Sequence, residues 1–120
     1  MTDQVFIGVA ALFFAVMGLV ALVRPDRVTS QFGIAPLNED GRSEVRAVYG
    51  GYGLAMALAL ALAVVHPPLR PGIALTVALA LCGMAGGRIV SALADRRMGR
   101  APAFYFGLEI LVAILLFTAV

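Results

Sequence analysis

Four long apolar stretches constrain this chain more than any other feature of its sequence. They run from Val5 to Val23, Ala47 to Val65, Ile73 to Ala94 and Ala103 to Val120, and only the last two contain a charged residue. The hydrocarbon core of a bilayer is about 30 Å thick and needs about 20 apolar residues per helix. Because 62% of the residues are hydrophobic and only 13% are charged, we predict an all-α transmembrane four-helix bundle that forms a single domain over residues 1–120.

The first stretch differs from a secretory signal peptide in two respects. Asp3 precedes it without any Arg or Lys, and its apolar run exceeds the about 7 to 15 residues that are usual for such a signal. We therefore expect it to remain as a permanent span.

The arginines between the stretches predict the orientation. The second loop holds only Arg70, whereas the first and third loops together hold Arg24, Arg27, Arg42, Arg96, Arg97 and Arg100. Since cytoplasmic loops carry an excess of Lys and Arg, both arginine-rich loops should be cytoplasmic and both termini outside the cytoplasm. The same placement explains the basic residues without a nucleic-acid partner, and none is expected.

Two charges inside the third and fourth stretches are predicted to pair. Arg88 lies six residues before the end of its stretch and Glu109 six residues after the start of its own, so each lies about 9 Å from the cytoplasmic side. A lone charge deep in a spanning helix costs about 2.5 to 3.5 kcal/mol. The planar fork of Arg88 can donate two parallel hydrogen bonds to the Glu109 carboxylate.

Further polar residues are expected near this pair. Ser91 and Asp95 share a helix face with Arg88 at spacings of three and seven. Two interpretations remain open. The first is a structural ion-pair network of Glu44, Arg46, Arg88, Asp95 and Glu109. The second is a cavity that binds a small amphipathic molecule or lipid, anionic or polar at one end, and that is bordered by Arg46, Tyr49, Gly53, Arg88, Ser91, Tyr105 and Glu109.

Other chemistry finds no support in the sequence. No nucleophile with a neighbouring base, metal-ligand cluster, phosphate-binding loop or haem-ligating histidine pair is present. The single cysteine, Cys82, is best interpreted as a packing residue in the third stretch. We therefore expect no catalytic residue, no metal and no cofactor.

Small residues at helical spacing predict close helix contacts. Gly50 and Gly53 lie in the second stretch, and Gly83 and Gly87 in the third. Such residues let helix backbones approach closely in lipid. We expect contacts within the chain first, and a homo-oligomer second.

The charged motifs carry a resemblance to a known family. The segment Glu44–Gly51 (EVRAVYGG), the pair Gly87-Arg88 with Asp95 seven residues on, and Leu108-Glu109 resemble an uncharacterised family of small bacterial four-helix integral membrane proteins, a domain of unknown function. The resemblance implies the bacterial inner (plasma) membrane as the location. The apolar spans make membrane lipid an expected partner. One departure is that Arg96, Arg97 and Met98 separate Asp95 from Gly99, whereas the resemblance leads us to expect a glycine closer to the aspartate.

Two further functions are alternatives. An intramembrane isomerase could use Glu109 as its base, but a carboxylate held by arginine is a poor base. A small proton-coupled exporter would fit the length of the chain. The small multidrug transporters, however, place their essential glutamate in the first helix and use a membrane tryptophan, and this chain has neither feature.

Overall fold

The computed structural model describes residues 2–120, which form helices and no strand. In chain order the elements are α1 (Thr2–Val23), α2 (Pro25–Ser30), α3 (Glu39–Val45), a π-helix (Arg46–Gly51), α4 (Tyr52–Val65), a 3₁₀ turn (Pro67–Leu69), α5 (Arg70–Asp95) and α6 (Arg100–Phe117). The helices that are long and apolar enough to cross a membrane span Thr2–Val23, Glu39–Val65, Pro67–Asp95 and Arg100–Phe117. The prediction of an all-helical chain with four such helices is confirmed.

The second long helix begins at Glu39, whereas the apolar pattern placed its start at Ala47. Asn38 caps it, because the Asn38 Oδ1 atom accepts a hydrogen bond of 2.8 Å from the Gly41 N–H. Glu39 and Asp40 follow in the first turn, where negative charge stabilises a helix N-terminus. Hydropathy marks only the apolar part of a helix, and for the same reason α6 begins at Arg100 rather than at Ala103.

The four long helices pack as a ring. Helix α1 contacts α4 and α6, and α5 contacts the same two helices from the opposite side. The main core is formed by Ile7, Ala10, Phe14, Leu60, Ala63, Ala74, Val77, Ala78, Leu81, Val112, Ala113, Leu116 and Ala119. Many large apolar side chains on the outer faces are exposed, among them Leu93 at 74% and Val90 at 67%. An apolar outer surface of this extent suits a lipid solvent better than water.

Glycines bring α1 and the second long helix into close contact. A Cβ atom at Gly18 would lie 2.8 Å from the Gly50 carbonyl oxygen, and a Cβ atom at Gly53 would lie 3.0 Å from the Gly18 Cα. Only glycine fits such backbone-to-backbone contacts. Gly83 and Gly87 differ, since a Cβ atom there would meet nothing within 4 Å. The expectation of a helix contact within the chain is therefore wrong for this pair.

The first interhelical loop is ordered by a small second core. Ala21, Val28 and Val45 are buried together, with Leu37 packed against them. The Asp26 Oδ1 atom accepts a hydrogen bond of 2.9 Å from the Leu37 N–H. These contacts hold the segment after α2 against the ends of the long helices.

Arg96 ends α5 in a left-handed conformation, with a φ of 52°. It is the only residue other than glycine with a positive φ in the part of the chain that the structure describes. A helix commonly ends on a glycine in this conformation, because a Cβ atom makes it unfavourable. The glycine expected closer to Asp95 is therefore absent from a turn whose backbone would favour it.

Candidate functional site

The structure brings Arg88 of α5 and Glu109 of α6 together in a bidentate ion pair. The Arg88 Nε donates to Glu109 Oε1 at 2.8 Å, and the Arg88 Nη2 donates to Glu109 Oε2 at 2.9 Å. The Glu109 side chain is only 2% exposed, whereas that of Arg88 is 22% exposed. Glu109 is therefore the buried partner, and Arg88 connects it to the molecular surface.

Two aromatic rings flank the Arg88 guanidinium. Its Cζ atom lies 5.8 Å from the centre of the Phe32 ring and 5.7 Å from that of the Tyr105 ring. Both distances are within the range of an attractive cation–π interaction. The Tyr105 hydroxyl donates a hydrogen bond of 2.6 Å to the Gln31 Oε1 atom. Gln31 and Phe32 follow α2, so this contact attaches the first loop to α6 beside Arg88.

A cleft of about 350 Å³ opens on another side of Arg88. Its lining residues are Tyr49, Met84, Gly87, Arg88, Ser91, Ala92, Arg97, Met98, Gly99 and Pro102. Tyr49 reaches it from the π-helix, an element that is rare in proteins and frequent at functional sites. The cleft combines two arginines and two hydroxyl groups with the apolar side chain of Met84, and its character is therefore amphipathic.

Arg88 keeps hydrogen-bonding capacity beyond its pair with Glu109. A guanidinium carries five N–H donors, and Glu109 accepts from only one on Nε and one on Nη2. Within residues 2–120, no protein atom accepts a hydrogen bond from Arg88 Nη1. One edge of the guanidinium is used by Glu109, and the Nη1 atom on the other edge has no acceptor among residues 2–120.

The wider ion-pair network does not form. Among the residues that the structure describes, Arg88 and Glu109 are the only oppositely charged side chains within 4.0 Å of each other. Arg46 instead donates from Nε to the Leu22 carbonyl oxygen at 3.0 Å and so caps the C-terminus of α1. Glu44 and Asp95 are exposed. The expectation that these three residues join the network is therefore corrected. Arg46 binds a carbonyl at the end of α1 instead, and the exposed carboxylates of Glu44 and Asp95 can be solvated without an arginine partner.

The residues of the predicted cavity border lie in three different surroundings. Tyr49, Arg88 and Ser91 line the cleft. Tyr105 and Glu109 lie next to Arg88 but do not line the cleft, and Arg46 is not part of its lining. Gly53 does not line the cleft either, because it packs against Gly18 of α1.

Sequence reasoning missed several residues around Arg88. Gly87 and Met84 precede Arg88 by one and four positions, and the helical spacing of Met84 was a usable signal. Arg97 had been interpreted only as a marker of orientation. Gln31 and Phe32 had no local signal, since Gln31 is 74 residues from Tyr105 in the chain.

Metal binding and a second surface site receive no support. Within residues 2–120, no three His, Cys, Asp or Glu side chains are placed to hold a metal ion. A larger depression, of about 440 Å³, lies at the exposed first turn of α3, between Asn38 and Arg42. It does not include Arg88 or any buried polar group, and we give it no functional weight.

Comparison with known proteins identifies the family alone. No curated protein and no solved structure matches the chain. Residues 2–120 match a protein family described as a domain of unknown function (DUF4345). Since the match spans all described residues, the chain belongs to the family described as a domain of unknown function (DUF4345).

Proposed function

We propose that the protein lies in a membrane with four helices across it and binds a small amphipathic molecule in the cleft beside Arg88. The proposed membrane is the bacterial inner membrane, with the arginine-rich loops in the cytoplasm and both termini outside. The cleft would then open toward the cytoplasmic leaflet, because Arg97 and Gly99 of the third loop form one end of it.

The observation that carries this proposal is the free edge of the Arg88 guanidinium. Glu109 neutralises and orients Arg88, the Nη1 side keeps unused donors, and Arg88 is one of the residues that line the cleft. Ionisable groups in spanning helices commonly mark a path or site for a ligand.

The shape of the cleft favours an amphipathic ligand. Its volume of about 350 Å³ is at the small end of the range of about 300 to 1,000 Å³ for ligand sites. Polar groups of Tyr49, Ser91 and Arg97 meet the apolar Met84 within it. We rank an isomerase or a proton-coupled exporter below this function, because Glu109 is buried behind Arg88 and does not line the cleft.

Gly87 and Gly86 provide a matched test of binding. Neither would place a Cβ atom within 4 Å of another atom, but only Gly87 lines the cleft. We expect Gly87→Leu to fill the cleft and Gly86→Leu to leave it open. Gly53→Leu is unsuitable, because it would force α1 and α4 apart.

The measurement is native mass spectrometry of the purified protein mixed with phosphatidylglycerol, phosphatidylethanolamine and oleic acid. The wild type and Gly86→Leu should retain an amphiphile that Gly87→Leu loses, while circular dichroism shows equal helix content. Ser91→Leu offers a second way to narrow the cleft. If the wild type retains nothing that Gly87→Leu and Ser91→Leu lose, the site is structural.

A further inference from the structure

We infer that the ligand is an anionic phospholipid whose phosphodiester group is held between Arg88 and Arg97. This inference rests on the proposed function and specifies the chemical class that the cleft recognises.

The donor geometry suits an anion with several oxygen atoms. The edge of Arg88 that carries Nη1 and Nη2 presents parallel N–H donors, a pattern that matches carboxylate and phosphate. Arg97, Tyr49 and Ser91 line the same cleft, and the last two residues carry hydroxyl groups. A carboxylate offers two acceptor oxygens, whereas a phosphodiester offers two non-bridging oxygens, which share one negative charge, and two ester oxygens. The phosphodiester can therefore satisfy more of these donors at once.

The charge of the cleft suits a single negative charge. Arg88 is neutralised by Glu109. Arg97 is exposed, and within residues 2–120 no carboxylate lies within 4.0 Å of it. One positive charge therefore remains without a partner at the cleft, and a phosphodiester carries one negative charge. A phospholipid whose headgroup adds no positive charge, such as phosphatidylglycerol, fits this charge better than a zwitterionic one.

The direction of the cleft places the headgroup and the acyl chains. Along α5 the lining extends from Met84 to Ala92, a distance of about 12 Å at 1.5 Å per residue. Arg97 and Gly99 lie beyond the end of α5, and Met84 lies toward its middle. The phosphate should lie between Arg88 and Arg97, and the chains should follow α5 past Met84. Gly87 leaves space along this path, because it has no side chain.

Arg97→Gln and Arg96→Gln test this assignment. Each removes one positive charge from the third loop, but only Arg97 lines the cleft. Native mass spectrometry of the full chain would compare phosphatidylglycerol, phosphatidylcholine, oleic acid and diacylglycerol, with glycerol phosphate as a free headgroup. We expect phosphatidylglycerol to be retained best. Its affinity should fall about tenfold or more in Arg97→Gln and change little in Arg96→Gln.

The outcomes separate this inference from the proposed function. Equal losses in Arg96→Gln and Arg97→Gln would indicate attraction to the loop charge in general and overturn the inference. If oleic acid or diacylglycerol were retained as strongly as phosphatidylglycerol, the inference would be overturned too. The proposed function would still stand if Gly87→Leu lost these two amphiphiles. Glycerol phosphate bound as tightly as the lipid would point to a soluble phosphate ester instead. If Gly87→Leu bound every amphiphile as tightly as the wild type does, both proposals would be contradicted.

Discussion

Glu109 is a buried charge whose stability depends on one partner. Its side chain is 2% exposed, and both carboxylate oxygens accept hydrogen bonds from Arg88. Removing one partner of a buried pair leaves the other charge without compensation, and this loss is usually larger than the net contribution of the pair. Arg88 also lies against Phe32 and Tyr105, so its removal would affect the first loop as well.

Arg88→Ala should therefore lower the free energy of unfolding by about 3 to 5 kcal/mol, or less where Glu109 becomes protonated in the membrane. The double variant Arg88→Ala/Glu109→Ala should be milder than the sum of the two single changes. The measurement is unfolding in dodecyl sulfate mixed with a mild detergent, followed by circular dichroism. Arg97→Ala is the control, since Arg97 is exposed and its loss should change stability by about 0.5 kcal/mol at most. If the double variant loses as much unfolding free energy as the two single variants together, Arg88 and Glu109 are not coupled.

At the scale of the elements, glycines have opposite roles in different helices. Gly53 permits contact between the backbones of α1 and α4, whereas Gly83 on α5 borders open space. Glycine inside a helix is less favourable than alanine by roughly 0.5 to 1 kcal/mol. Replacing glycine by alanine should therefore change the free energy of unfolding in opposite directions at the two positions.

Gly53→Ala should destabilise the protein by about 1 to 3 kcal/mol, because its Cβ atom would lie 3.0 Å from the Gly18 Cα and 3.1 Å from the Phe14 carbonyl oxygen. Gly83→Ala should be neutral or stabilising by up to about 1 kcal/mol. Both changes can be compared by detergent unfolding at equal protein concentration. A stabilising Gly53→Ala would contradict the close contact of α1 and α4.

At the scale of the whole molecule, the arginine distribution predicts the orientation. The cleft and the Arg88–Glu109 pair lie in the half of the molecule next to the first and third loops. The orientation therefore decides which leaflet could supply the proposed ligand. Lipid from the cytoplasmic leaflet would reach the cleft if the arginine-rich loops face the cytoplasm.

A reporter that is active only in the cytoplasm should give no signal when fused after Val120. The same reporter inserted after Met98, in the third loop, should give a strong signal, and a reporter active only outside the cytoplasm should show the reverse pattern. Equal expression of each fusion is checked by immunoblotting. Cytoplasmic activity at Val120 would invert the proposed topology and assign the cleft to the outer leaflet.

The sequence by itself determined the helical class and the main candidates for the site. Long apolar runs can satisfy their backbone hydrogen bonds in lipid only as helices or closed barrels, and four runs of helical length predict four helices. The depth of Arg88 and Glu109 followed from the constant rise per residue. Family membership could also be expected, because charges at fixed places in apolar helices are distinctive.

Tertiary structure decided which partner each polar group found. Arg46 could have paired with Glu44 by sequence proximity, yet it bonds to the Leu22 carbonyl at the end of α1. Gly53 faces α1 rather than the cleft, and Phe32 reaches Arg88 from a distant loop. The helical period determines which residues share a face, but the neighbour of that face depends on how the helices are arranged around one another. The sequence therefore determined the helices and their charges. The packing of the bundle decided that Arg88, which pairs with Glu109, also lines an open cleft.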